Sequence, residues 1–177
     1  MLNISIVVGN PKPASRTRLV AERLVQRLVP VGAEVRTIDL VEHRAELFEW
    51  PGEAVAELAA AVAASDLAVF ASPTYKASYT GLLKAFLDRY QSGGLRGVVA
   101  VPVMTGADAT HALGGEAHLV PLLVELGASV PTRSLYFVTG DMDALDAALD
   151  DWVADAVDAL ERAANVASAI AAPAVAR

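Results

Sequence analysis

Short apolar runs and amphipathic segments of helical length take turns along this chain, five pairs in succession. Leu2, Ile4, Ile6 and Val8 alternate, with Val7 added and Gly9 ending the run, which predicts a first strand buried on both faces towards its end. In "ASRTRLVAERLVQRLVPVG", Val20, Leu24 and Leu28 recur at four-residue spacing beside Ala21 and Val25. Arg16, Glu22, Arg23, Gln26 and Arg27 fall mostly elsewhere on the wheel, so the segment predicts an amphipathic helix, stopped by Pro30 and Gly32. "AEVRTIDL" reads as a second strand, and "VEHRAELFEWPG", without a clean period, as surface loop. A helix over residues 53–64 leads to the strand "DLAVFA" and a helix from about Thr80 to Gln91. After the turn "GGLRG" come the strand "VVAVPVMTG", a helix over 111–126, the strand "SLYFVTG" and the closing helix "MDALDAALDDWVADAVDALERAA".

Strands alternating with helices of this length imply a parallel sheet covered on both faces. With five strands, the expected class is α/β, a flavodoxin-like doubly wound sheet in the order 2-1-3-4-5. The chain of 177 residues suits one domain, placed over residues 1–164, followed by an alanine-rich tail over 165–177. Pro102 interrupts this scheme: inside a strand it removes a ladder hydrogen bond, so a bulge or irregular point is expected there.

Composition narrows the function. No stretch of eighteen uncharged apolar residues appears, and "MLNISIVVG" has neither a basic n-region nor a cleavage site, so a soluble, cytoplasmic protein is expected. Without cysteine there is no thiolate nucleophile or cysteine zinc site, and redox chemistry must come from a borrowed cofactor. A net charge of −7 argues against nucleic acid and anionic membranes as partners.

In an open parallel sheet, ligands bind outside the carboxyl ends of the strands near the switch point, here between the first and third strands. The first loop there, "GNPKPASRT", offers Asn10, Ser15 and Thr17 as hydrogen-bonding side chains and Lys12, Arg16 and nearby Arg18 as positive charge, at a helix start. It reads either as a phosphate cradle or as a loop ending in an ordinary Ser15 N-cap. The second, "SPTYKASYTG", sets the stiff Pro73 and aromatic Tyr75 around backbone at Thr74 to Lys76 able to border a flat polar ring; Leu82, Leu83, Phe86 and Leu87 behind it are core. In the third, Gly106 follows Thr105 where the backbone turns sharply or approaches something closely, and Asp108 or Thr110 serves as N-cap or ligand contact. His111 and His118 are too few for a metal site and read as structural or interface histidines.

Together "GNPKPASRT", "SPTYKASYTGLLKAFLD" and "VVAVPVMTGADATHAL" resemble the NAD(P)H-dependent FMN reductases, above all the flavin reductases serving two-component alkanesulfonate monooxygenases. The likeness runs in order from about Leu2 to Phe137; its most specific part is Pro73, Tyr75, Lys76, Ala77, Ser78, Gly81 and Lys84. The resemblance implies that Asn10, Ser15, Arg16 and Thr17 hold the FMN phosphate beside Lys12. It also implies that Pro73, Thr74, Tyr75, Lys76 and Ser78 border the ring, and that Thr105 and Gly106 contact its far side. Asn10 stands where the family usually has serine, and Ala107 replaces a glycine.

The resemblance further implies a homodimer or homotetramer packed through the helix after the fourth strand. Gly114, Gly115 and Pro121 predict a kink or π-bulge in that helix. Ala117 aligns with an inserted tyrosine of relatives, and the adjacent His118 is the residue available for its role. Hydride transfer from NADPH or NADH to FMN needs aligned rings and no protein acid or base, so no catalytic side chain is assigned. The leading expectation is a reductase supplying reduced FMN to an FMNH2-dependent monooxygenase. Alternatives are a reductase that retains FMN and acts on quinones, azo dyes or metal oxyanions, and a flavodoxin-type electron carrier.

Overall fold

The computed structural model describes residues 2–29 and 32–170, with side chains of the last helix described to residue 163. β1 (Asn3–Val8), β2 (Glu34–Asp39), β3 (Leu67–Pro73), β4 (Val99–Gly106) and β5 (Leu135–Val138) form one parallel sheet, ordered β2-β1-β3-β4-β5. Side-chain alternation divides the core in two. Ile4, Ile6 and Val8 face Val20 and Leu24 of α1 (Arg16–Leu28) and Leu149 of α5 (Leu145–Ile170). Val7 and Phe70 face the other layer, Val55 of α2 (Glu53–Ala63), Phe86 of α3 (Gly81–Leu87) and Leu123 of α4 (Val120–Glu125). Each large side chain buried this way contributes about 1.5–3 kcal/mol.

Several boundaries depart from the sequence pattern for local reasons. α3 stops at Leu87 because the next turn tightens: the N–H groups of Arg89 and Tyr90 donate to Phe86 and Leu87, at 3.1 and 3.2 Å. Residues 111–113 form a turn instead of the start of the helix expected over 111–126. A π-turn at Gly115–Leu119 then precedes α4, with Val120 N–H reaching back to Gly115 O, and Pro121 follows where its missing N–H is tolerated. The segment after β2 is more than surface loop, since it begins with a 3₁₀ turn at Leu40–His43 and buries Leu40, Val41 and Leu47.

No bulge forms at Pro102. β4 pairs continuously with β3 through Phe70↔Pro102, while on its other side Ser129 bonds Val98 and Ala100 and the β5 ladder begins at Val103↔Leu135. The proline stands in the gap between those two pairings, where no ladder bond is lost. Val29 caps α1 by donating to Val25 O at 3.1 Å, whereas the proposed stop at Pro30 lies outside the described residues. α5 runs past residue 164 to Ile170, and the rest of the alanine-rich tail lies outside them too.

Candidate functional site

Reversal of connection direction between β1 and β3 brings the loops after β1, β3 and β4 together at the carboxyl edge of the sheet. The first loop is shaped by its own side chains. Asn10 Oδ1 accepts Lys12 N–H at 2.9 Å, Ala14 takes a left-handed φ of 48°, and Ser15 caps α1 by accepting Arg18 N–H at 3.2 Å. The first turn of this thirteen-residue helix carries no acidic residue, so its positive end faces the loop without a countercharge. Lys12 is exposed and Arg16 donates Nη1 to Thr139 O at 2.9 Å; among the described residues neither forms an ion pair.

Arg18 behaves differently from the other two cations. Its guanidinium lies 2.8 Å from Glu22, 3.5 Å from Asp39 and 3.7 Å from Glu42, and the bond to Glu22, with Asp39 behind it, raises its pKa. It is therefore committed to carboxylates. Asp39 has only 1% of its side chain exposed, and its Oδ1 has no hydrogen-bond partner among the described residues. Burial raises the Asp39 pKa against the opposing pull of Arg18.

The loop after β3 is a tight hairpin in which Tyr75 and Ser78 exchange backbone hydrogen bonds of 2.9 and 3.2 Å. Its central residues, Lys76 and Ala77, have φ of 52° and 66°, the conformation of a type I′ turn without the glycine that usually relieves it. Each such residue stores about 1–2 kcal/mol. Tyr75 and Lys76 are exposed, and the Thr74 hydroxyl is a buried polar group without a partner among the described residues. Two residues outside the expected site set fasten this loop. Ser72 Oγ accepts Thr80 N–H at 3.0 Å, and Thr80 Oγ1 caps α3 while donating to Gly9 O at 2.5 Å.

The third loop joins the other two. Thr74 N–H donates to Thr105 O at 2.7 Å, and Thr105 Oγ1 lies 2.8 Å from Thr17 Oγ1, which accepts from Asn10 Nδ2 at 2.9 Å. Thr17 and Thr105 are both 1% exposed, so their hydroxyls frame the site from beneath. Gly106 is required by Tyr136, because a Cβ there would overlap the Tyr136 hydroxyl, which donates to Asp108 O at 2.7 Å. Asp108 caps a turn and not a helix, accepting Thr110 N–H at 2.8 Å; its bonds to Thr110 lower its pKa. His111 and His118 are exposed, and no cluster of three potential metal-ligating side chains occurs among the described residues.

This donor set fits a phosphorylated, flat heteroaromatic ligand such as FMN. Two cations without an ion-pair partner among the described residues and an open helix end lie on one side, with a strained aromatic hairpin on the other.

Comparison with known proteins agrees. Residues 2–143 match the family model described as NADPH-dependent FMN reductase. An FMN reductase (NADPH) from Pseudomonas putida is 32% identical over 141 residues, covering 77% of this chain and 70% of the relative. The NADH-dependent FMN reductase SfnF from the same species is 30% identical over 148 residues, covering 77% of each. Among solved structures, the apo form of the NADH:FMN oxidoreductase EMOB superposes with a TM-score of 0.79 at 28% identity, covering 94% of this chain and 90% of that one. By its matched family model, its relatives and its sheet order, the chain belongs to the NADPH-dependent FMN reductase family.

Proposed function

We propose that this protein, an NAD(P)H-dependent FMN reductase, supplies the reduced flavin to a partner monooxygenase. When both are bound, the nicotinamide supplies a hydride and FMN accepts it. The observation that carries the site assignment is the positive, countercharge-free start of α1 beside unpaired Lys12 and Arg16. Lys12, Ser15 and Arg16 hold the phosphate, with Asn10 and Thr17 shaping the loop around it. Pro73 to Lys76 and Ser78 border the ring, and Thr105 and Gly106 line its far side. These residues position and exclude water; none transfers a proton.

Support for the partner comes from the Pro73 to Lys84 motif, which resembles reductases of two-component systems. In this reading residues 1–164 are the reductase domain and 165–177 an appended tail, and a second copy packs against the helix after β4. The protein works in the cytoplasm; among the described residues no helix is long and apolar enough to cross a membrane.

The test is a flavin spectrum of the protein as isolated, together with NADPH and NADH oxidation with and without free FMN. Little bound flavin and a rate that requires added FMN are expected. Yellow protein reducing quinone without added FMN would make FMN a retained cofactor and remove the supply role.

A further inference from the structure

Four hydrogen bonds in series cross the site, and Asn10 is the first side chain in the series. Lys12 N–H donates to Asn10 Oδ1 and Asn10 Nδ2 to Thr17 Oγ1, each at 2.9 Å. Thr17 Oγ1 pairs with Thr105 Oγ1 at 2.8 Å, and Thr105 O accepts Thr74 N–H at 2.7 Å. The series joins the end of β1, the first turn of α1, the end of β4 and the hairpin after β3. Asn10, Thr17 and Thr105 are 8%, 1% and 1% exposed, so water cannot readily replace a broken bond.

Donors and acceptors balance along it. Thr17 Oγ1 accepts from Asn10, and a single hydroxyl proton joins Thr17 to Thr105, supplied by either residue. Asn10 has its oxygen on Lys12 and an amide hydrogen on Thr17, which makes it a brace of the loop. We propose that Asn10 is a positioning residue that, through Thr17, locks the phosphate-side loop to Thr105, so that the grip on phosphate depends on a residue of the ring side. A loop held in its bound shape has less entropy to lose when the ligand arrives. This inference rests on the FMN reading above.

The test uses the full chain and two probes, FMN and riboflavin, titrated by quenching of flavin fluorescence. The ratio of riboflavin Kd to FMN Kd isolates the contribution of the phosphate. Asn10→Ala, Thr17→Val and Thr105→Val should each lower that ratio about tenfold, while Thr17→Ser keeps it within about twofold of wild type. General destabilisation would weaken both ligands alike and leave the ratio unchanged, which would overturn the proposal. A ratio lowered only in Asn10→Ala would also overturn it, by making Asn10 a direct phosphate contact. Should Asn10→Ala fail to fold, Thr105→Val still tests the lock, because Thr105 stands at its far end: an unchanged ratio in that variant overturns the proposal. Wild-type protein that binds FMN no better than riboflavin would instead sink the phosphate-site reading itself.

Discussion

Replacing Gly9 by alanine tests how tightly the first and second loops are joined. An ideal Cβ at Gly9 would lie 2.5 Å from Leu83 Cβ, 3.2 Å from Leu83 Cα and 3.3 Å from Leu83 N. Ordinary carbon contacts are about 3.5–4.0 Å, so the first turn of α3 must retreat by about 1–1.5 Å. Backbone on the far side leaves no flexible side chain to absorb that shift. Retreat also pulls Thr80 from Gly9 O, a buried bond of 2.5 Å. Overpacking plus this bond should cost about 3 kcal/mol. For a chain of this size the melting temperature should fall by about 6–12 °C, and FMN affinity should fall with it. Gly81→Ala is the control, because nothing lies within 4 Å of its added Cβ and it opens a helix. Its melting temperature should stay within about 2 °C of wild type or rise. Circular dichroism melts decide the matter, and a Gly9→Ala protein melting within about 2 °C of wild type would refute the reasoning.

Three further outcomes are expected. Gly106→Ala should destabilise the wild-type background more than a Tyr136→Phe background, because the second change removes the hydroxyl that the new Cβ meets; additive melting shifts would contradict this. Asp39→Asn should stabilise the protein at neutral pH, because burial disfavours the charged carboxylate more than Arg18 favours it. The sign follows from the raised pKa of Asp39. Protonation is favoured in the fold, so stability is fullest below the ordinary carboxylate value of 3.8 and falls as pH rises through the raised one. The gain from Asp39→Asn should therefore shrink on acidification, and urea melts in which it grows would contradict the account. Thr80→Val, which keeps the side chain's shape and removes its hydroxyl, should lower stability by about 1–3 kcal/mol through loss of the α3 cap and the bond to Gly9; an unchanged urea midpoint would count against it.

Strand order and the three-loop edge were legible because alternation and strand length are local signals that burial then enforces. The π-turn was legible too, since Gly114, Gly115 and Pro121 all disfavour a regular helix. What escaped the sequence depends on distant partners. Thr17 and Thr105 meet across 88 positions, so neither residue hints at the other. Gly106 does mark a close approach, but to Tyr136, thirty residues on. Arg18 looked like a third free cation beside Lys12 and Arg16; its nearest partner, Glu22, lies one helical turn on and was open to reading, whereas only folding brings Asp39 and Glu42 against it. Past the early end of α3, the Tyr90 hydroxyl donates to Ala59 O on α2 at 3.0 Å, a contact 31 positions apart that no local pattern announces.

Titration of FMN into wild-type and Arg16→Ala protein, followed by quenching of flavin fluorescence, tests the central claim most directly. Among the described residues the exposed Arg16 side chain bonds only a backbone oxygen, so its removal should leave the melting temperature nearly unchanged. Saturable binding by wild type and an affinity about tenfold weaker or more in the variant are predicted. No binding by wild type, or equal affinity in the two proteins, would contradict the assignment of the phosphate to the start of α1.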